Sequence, residues 1–141
     1  QVGVTIPFTT GAVVLAQTFV AMPFLVFAVE GALRSADRRS ETAAASLGAS
    51  PWQIFRLVTV PLTAPGIAAG AVLCFARALG EFGATITFAG SFPGVTRTLP
   101  IASYLAMNSD PDTAIALALV LLAVSLSVLL ALRDRWLPGT V

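Results

Sequence analysis

The sequence contains no histidine and no lysine, and it has a single cysteine. Without these residues it lacks the commonest acid–base and metal-binding side chain and the lysine of a phosphate-binding glycine loop. One cysteine cannot form a disulfide framework or a thiolate metal site within the chain, and we interpret Cys74, which lies in an apolar run, as a packing residue. We therefore expect no catalytic residue, no metal site and no cofactor in this chain.

Charge is also scarce, because 11% of the residues are charged and 57% are hydrophobic, with a mean hydropathy of +0.89. A typical soluble domain has about 25% charged residues. A chain of 141 residues folded in water would have too much surface to cover with so few charges. The net charge of +1 gives no indication of a polyanionic partner. We therefore predict a membrane protein that contacts lipid and does not bind nucleic acid.

Three apolar runs are long enough to cross a membrane, which takes about 20 residues in a helix. The predicted spans are at about 11–32, 62–88 and 112–132. Pro23 lies inside the first span, where a neighbouring helix would satisfy the carbonyl that it frees. The third span has Asp110 as its capping residue and Pro111 at its first helical position. The predicted fold class is therefore all-α, a polytopic membrane helix bundle.

The start of the chain indicates that more of the protein precedes it. The first residue is Gln1 rather than methionine, no signal peptide pattern is visible, and the first span begins almost at once. We interpret the chain as the C-terminal portion of a longer membrane subunit, and as part of one transmembrane domain.

The arginines predict the orientation of the three spans. By the positive-inside rule, the connection at 34–60 and the C-terminus lie in the cytoplasm, and the loop at 90–110, which carries only Arg97, lies outside. The arginines on the predicted cytoplasmic side are Arg34, Arg38, Arg39, Arg56, Arg133 and Arg135.

The predicted cytoplasmic connection has the pattern of two short helices joined by a glycine. Ser40 is placed to cap a helix through Leu47, and Gly48 would end that helix in a left-handed conformation. The segment 50–53 is a capping box with proline at the first helical position, and the second helix is expected to end before Pro61. Helices this short are marginal alone. We therefore expect them to lie in the groove of a partner.

The segment from Glu41 to Pro61 resembles the EAA loop of ABC-importer permeases. That loop has the pattern Glu-Ala-Ala, three residues, Gly, nine residues, Ile, any residue, Leu-Pro. Thr42 occupies the position of the glutamate, Glu41 lies one residue earlier, and valines replace the isoleucine and the leucine. In the family this loop forms coupling helices in a cleft of the ATP-binding subunit. The residues that the resemblance assigns to this coupling are Glu41, Thr42, Ala43, Ala44, Gly48, Ser50, Pro51, Trp52 and Pro61.

The second predicted span carries two charges, Arg77 and Glu81, at helical spacing i, i+4. Ionisable groups at membrane depth usually face a bundle interior or a water-filled path. Two interpretations are open: a buried structural ion pair, or a position on the translocation path. The candidates for the path or the bundle interior are Arg77, Glu81, Gly83, Thr85 and Thr87.

Three longer segments, 17–24, 76–85 and 88–100, together with Tyr104, resemble the sulfate and molybdate branch of these permeases and look more like the molybdate members. The resemblance implies a permease subunit in a bacterial plasma or inner membrane that imports a tetrahedral oxyanion, with molybdate first and sulfate, thiosulfate or tungstate as alternatives. It also implies a second permease copy, two ATP-binding subunits that bind the ATP, and an external solute-binding protein.

Other classes of function fit parts of the pattern. Ala44, Gly48 and Ile54 have the spacing of a helix-turn-helix DNA reader, which would make the chain a membrane-tethered regulator. The segment after Gly48, however, offers one arginine and one glutamine among apolar residues, whereas a recognition helix presents polar and basic side chains. A plain connecting loop and a membrane enzyme are the remaining alternatives.

Overall fold

The computed structural model describes residues 6–136, with side chains as far as residue 131. Within that range the chain forms helices and no strand, and three helical stretches are long and apolar enough to cross a membrane: Thr10–Ser35, Pro51–Leu79 and Pro111–Ala131. The all-α prediction is confirmed. The helices are α1 (Thr10–Ser35), α2 (Arg38–Ser46), α3 (Pro51–Ile54), α4 (Val60–Leu79), α5 (Gly83–Ala89), α6 (Leu99–Ala106) and α7 (Pro111–Trp136), with a π-helical turn at Phe55–Thr59.

Helices α1 and α7 contain the apolar runs of the first and third predicted spans. Helix α1 continues through Pro23 without a break. At the start of α7, the Asp110 carboxylate accepts hydrogen bonds from the hydroxyl and the N–H of Thr113. These two bonds lower the pKa of Asp110, and the bond from the hydroxyl has the larger effect. Arg133 and Arg135 fall within α7, and their side chains lie outside the described residues.

The prediction of one helix across 62–88 is wrong. The second membrane-length helix begins at Pro51 and ends at Leu79. There the Glu81 N–H donates to the Ala78 carbonyl, three residues back, which closes the helix with a tighter turn. The Glu81 carboxylate then accepts the Ala84 N–H, at 2.9 Å, in the first turn of α5. Glu81 thus lies at a break between two helices.

Two short helices, α2 and α3, lie in the segment for which a hairpin was predicted, and the first has a different cap. Asp37, not Ser40, caps α2, since its carboxylate accepts the Arg39 N–H at 2.9 Å. Starting the helix earlier brings Glu41 into its first turn, where a negative charge is favourable. The capping box of α3 is confirmed: the Ser50 hydroxyl accepts the Gln53 N–H, and the Gln53 side chain accepts the Ser50 N–H.

We expected the second helix of the hairpin to end before Pro61. It continues instead into α4 through the π turn. A proline ring in a regular α-helix clashes with the carbonyl four residues back, here that of Leu57. In the π turn the Val60 N–H donates to the Phe55 carbonyl, five residues back, which widens the helix just before the proline. The chain therefore accommodates the proline rather than stopping at it.

The chain forms two compact units, Pro23–Cys74 and the combination of Gln1–Met22 with Phe75–Val141. In the Pro23–Cys74 unit, Gly66 and Gly70 of α4 pack against Ala32 and Ala28 of α1. A Cβ atom on Gly66 would lie 2.6 Å from the Ala32 Cβ, and one on Gly70 would lie 2.3 Å from the Ala28 Cβ. We call this small-residue contact the Gly–Ala contact. Small residues of this kind let the backbones of two membrane helices approach closely.

The other unit has a small core. Ala12 and Val13 of α1 are buried with Ala89 of α5. Ile101 of α6 is fully buried, and the Ser103 hydroxyl of α6 donates to the Ala114 carbonyl of α7 at 3.0 Å. Many large apolar side chains of α1 and α7 are exposed. That is the surface expected of a protein whose solvent is lipid.

Candidate functional site

The nine residues predicted for coupling all lie in the hairpin and the first turn of α4, within the Pro23–Cys74 unit. Gly48 joins the two hairpin helices at a φ of +87°, and a Cβ atom there would have no neighbour within 4 Å. Its left-handed backbone, and not crowding, is therefore what requires glycine. The Gly48 and Ala49 N–H groups close the end of α2 by donating to the carbonyls of Ala45 and Ala44.

The hairpin carries an exposed apolar surface, which we call the hairpin patch: Leu47, Trp52, Phe55 and Leu57. Leu47 is 89% exposed, Leu57 69% and Trp52 67%. The rings of Trp52 and Phe55 stack with their centroids 5.6 Å apart. A groove of about 340 Å³ runs between the end of α2 and α3, with Leu47 and Leu57 in its lining. Large exposed apolar side chains grouped on one short segment make it a candidate interaction site.

Thr42, at the glutamate position of the EAA pattern, and Glu41, one residue earlier, have different surroundings. Glu41 is half-buried, and its carboxylate accepts a hydrogen bond of 2.6 Å from the Thr59 hydroxyl in the π turn. Thr42 is exposed, and its hydroxyl donates to the Arg38 carbonyl of its own helix at 3.0 Å. The sequence reasoning missed Thr59, because its position opposite α2 depends on the π turn. Pro61 was the local signal, because a proline is incompatible with a regular α-helical turn before it.

Arg77 and Glu81 form an ion pair of 2.6 Å between Nη1 and Oε2, with the Glu81 side chain 6% exposed and that of Arg77 39% exposed. The other Glu81 oxygen accepts the Ala84 N–H. Both carboxylate oxygens are thus engaged, one by the end of α4 and one by the start of α5. Removing the glutamate would leave a cation and a helix terminus unpaired, a cost that burial increases.

The other candidates for the path lie in α5 and differ in their surroundings. Gly83 is exposed at the start of the helix. Thr87 is exposed too, and its hydroxyl donates to the Gly83 carbonyl at 2.8 Å. Thr85 is fully buried, and its hydroxyl has no partner among the described residues. The structure therefore brings Arg77 and Glu81 together at the helix break and places the two threonines in unlike surroundings.

An apolar groove of about 540 Å³ borders α5 and contains Thr87 in its lining. Its other lining residues come from α1 and α5 and carry no charge: Leu15, Ala16, Thr18, Phe19, Met22, Ala84 and Phe88. The Thr87 hydroxyl is bonded to its own helix, and apart from the Thr18 hydroxyl the rest of the lining is apolar, so this groove offers no charge to a dianion. Its chemistry suits a lipid chain or an apolar side chain.

The structure argues against the alternative of a DNA-reading hairpin. A recognition helix must be free to enter the major groove. Here α3 is the first turn of a continuous helical stretch, Pro51–Leu79, that is long and apolar enough to cross a membrane. The exposed residues of its first turns are largely apolar, with Trp52, Phe55 and Leu57 among them.

Comparison with known protein families finds a match over nearly the whole chain. The model of the family described as "Binding-protein-dependent transport system inner membrane component" matches residues 2–138.

Individual relatives are similar over nearly the whole chain. The "Molybdenum transport system permease protein ModB" of Mycobacterium tuberculosis is 54% identical over 138 residues, which are 98% of this chain and 52% of that protein. The Escherichia coli K12 protein of the same name is 42% identical over 135 residues, 96% of this chain and 59% of that protein. The "Sulfate permease 2, chloroplastic" of Chlamydomonas reinhardtii is 37% identical over 132 residues, 92% of this chain and 35% of that protein. The chain spans between half and three-fifths of the length of the two molybdenum permeases.

Proposed function

We propose, because this chain belongs to the family of inner membrane components of binding-protein-dependent transport systems, that it is part of the permease subunit of an ATP-driven importer of molybdate. The observation that carries this proposal is the identity of 54% and 42% to proteins named molybdenum transport permeases, over nearly the entire chain. The family consists of transport components, so the role is translocation rather than catalysis.

Sulfate is the second candidate substrate, because a protein named a sulfate permease is also similar, at 37% identity. The lower identity ranks it behind molybdate. Tungstate stays with molybdate as a cargo, since both are tetrahedral dianions of nearly the same size. Thiosulfate ranks with sulfate as a candidate substrate.

The partners that we propose follow from the family and from the hairpin. ATP-binding subunits, two per transporter, dock on the hairpin in the cytoplasm, and ATP is bound there and not by this chain. The hairpin patch supports this, because Leu47 and Trp52 are exposed at the end of α2 and in α3, where a partner's groove would cover them. A second copy of the permease completes the pore, and an external solute-binding protein delivers the oxyanion.

The orientation that we propose is the one that the arginines predict, with the hairpin and the C-terminus in the cytoplasm and the loop around Ser91 outside, in a bacterial plasma or inner membrane. Arg34 pairs with Glu30 at 2.7 Å on an exposed surface, where such a pair contributes little to stability. Arg38, Arg39 and Arg56 are exposed as well, so these charges are available to lipid headgroups or to a partner.

The coupling mechanism rests on the continuity of the helix Pro51–Leu79. When ATP changes the separation of the ATP-binding subunits, a docked α3 carries α4 with it, because the helical stretch passes Pro61 without interruption. The ligand shifts the transporter between two states by binding one of them better. In this mechanism the Arg77–Glu81 pair holds the end of α4 to α5, and its cation is neutralised rather than offered to the dianion.

The proposal is tested by uptake in bacterial cells from which the native molybdate permease has been deleted. The intact permease, expressed with its ATP-binding subunit and binding protein, should restore uptake of radioactive molybdate. Excess unlabelled tungstate should compete strongly and excess sulfate weakly. Uptake that sulfate suppresses as well as tungstate does would move the assignment to the sulfate branch. Restored uptake that continues without the ATP-binding subunit would refute the ATP-driven mechanism.

A further inference from the structure

We propose that Glu41 is a positioning residue that fastens α2 to the π turn, so that the hairpin and α4 move together. The inference rests on the proposed function, because it concerns how the hairpin transmits motion. It assigns Glu41 a role inside this chain, whereas the resemblance places it at the surface of the ATP-binding subunit.

The first observation is the geometry of the bond. The Glu41 carboxylate accepts a hydrogen bond of 2.6 Å from the Thr59 hydroxyl, across 18 positions of sequence. Both residues are half-buried, so water competes for this bond less than at an exposed site. A short hydrogen bond to a charged acceptor is among the stronger kinds.

The second observation concerns how α2 is held. None of its residues, from Arg38 to Ser46, is buried, so the helix lacks the apolar anchor that usually stabilises a short helix. The other side-chain hydrogen bonds described for α2 stay within the helix and its cap: Thr42 to Arg38, Ser46 to Ala43, and the Arg39 N–H to Asp37. Glu41 therefore makes the polar link from this helix to a distant segment.

The third observation is that the link continues into α4. The Thr59 carbonyl accepts a hydrogen bond of 2.8 Å from the Thr63 hydroxyl, and Thr63 is buried, at 3% exposure. Thr59 sits at the end of the π turn, just before Pro61, which cannot donate a backbone bond. Thr59 is thus bonded through its hydroxyl to Glu41 of α2 and through its carbonyl to Thr63 of α4.

The experiment uses the intact transporter, reconstituted in liposomes with its ATP-binding subunits and the binding protein. It measures three quantities for each variant: the ATP-binding subunit that copurifies, the ATP hydrolysed, and the molybdate transported. Glu41→Ala and Thr59→Val remove the bond. Glu41→Gln and Thr59→Ser keep an acceptor and a donor. Ser46→Ala, which removes a hydroxyl bonded within α2, is the control.

We expect Glu41→Ala and Thr59→Val to bind the ATP-binding subunit normally but to transport roughly tenfold less molybdate per ATP. Roughly tenfold is the lower end of the change in an equilibrium constant that follows the loss of a hydrogen bond to a charged group. The two conservative variants and the control should retain most of the coupling. The Glu41→Ala/Thr59→Val double variant should be no worse than either single variant, because both remove the same interaction.

A direct role at the partner gives a different pattern. If Glu41→Gln loses the ATP-binding subunit as Glu41→Ala does, while Thr59→Val behaves like the parent protein, Glu41 contacts the partner and the inference is wrong, with the proposed function intact. If the parent protein shows no ATP-dependent molybdate uptake, the proposed function itself fails. Amide hydrogen exchange on the purified permease covers the case in which a variant assembles poorly: Thr59→Val should speed exchange in α2, and unchanged exchange overturns the inference.

Discussion

The Gly–Ala contact gives the sharpest prediction about stability. A Cβ atom at Gly70 would lie 2.3 Å from the Ala28 Cβ, whereas carbon atoms in contact are separated by about 3.5–4.0 Å. The two helices would have to move apart by more than about 1 Å to admit one methyl group. Overpacking of this kind costs about 1–3 kcal/mol, and the separation also weakens the contacts on either side. We therefore expect Gly70→Ala to destabilise the protein and Gly70→Val to do so more strongly.

Gly31 provides the matched control, because it is a helical glycine of α1 whose added Cβ would have no neighbour within 4 Å. Gly31→Ala should be neutral or stabilising by up to about 1 kcal/mol, since alanine favours the helix over glycine. The same chemical change should thus have opposite signs at Gly31 and Gly70. Ala28→Gly, which removes the methyl group opposite Gly70, should recover most of the loss caused by Gly70→Ala.

The assay is the midpoint of thermal unfolding in detergent, followed by the fraction of the permease that stays monodisperse. A midpoint for Gly70→Ala equal to or above that of Gly31→Ala would refute the close approach of α1 and α4. Failure of Ala28→Gly to restore Gly70→Ala would show that the cost lies in the backbone of α4 and not in the contact between the two helices.

Three further predictions concern coupling, topology and the ion pair. Gly48→Val should insert normally but lose the ATP-binding subunit and uptake, because valine is strained at a φ of +87°; a normal pull-down with normal transport would contradict this. In a background without the native cysteine, a cysteine at Ser91 should react with an impermeant thiol reagent outside intact cells and one at Ser46 should not, and the reverse labelling would overturn the orientation. Glu81→Gln should reduce membrane-inserted protein more than Arg77→Met combined with Glu81→Gln, because the single change leaves an unpaired cation. If both insert normally and each loses uptake equally, the charges act on the oxyanion directly.

Local rules predicted the features that depend on neighbouring residues. The capping box at Ser50, the left-handed Gly48 and the cap at Asp110 are each set by residues within four positions of a helix end. The three membrane-length runs follow from hydropathy alone. These parts of the fold, and the two short helices α2 and α3 that follow α1, could be predicted from the sequence.

The features that were wrong or missed depend on competition between rules. Asp37 and Ser40 both suit a helix cap, and the earlier one is used because it gives α2 a further turn with Glu41 near its start. Pro61 indicates a helix end by steric rules, yet the helix continues past it by widening into a π turn. The break at Gly80–Phe82 needs the Glu81 carboxylate to begin α5, which apolar periodicity does not indicate.

Two interactions in the Pro23–Cys74 unit have different consequences when they are removed. The Gly–Ala contact holds α4 to α1 by close packing, so its loss removes contacts from the folded state and lowers stability. The Glu41–Thr59 bond holds a helix without buried residues, so its loss frees a surface element at little cost to the rest of the fold. If the hairpin transmits motion as we propose, Gly70→Ala should lower the unfolding midpoint and transport together, whereas Glu41→Ala should lower transport per ATP with the midpoint nearly unchanged. A drop in the midpoint as large for Glu41→Ala as for Gly70→Ala would assign Glu41 to the stability of the fold instead of to coupling.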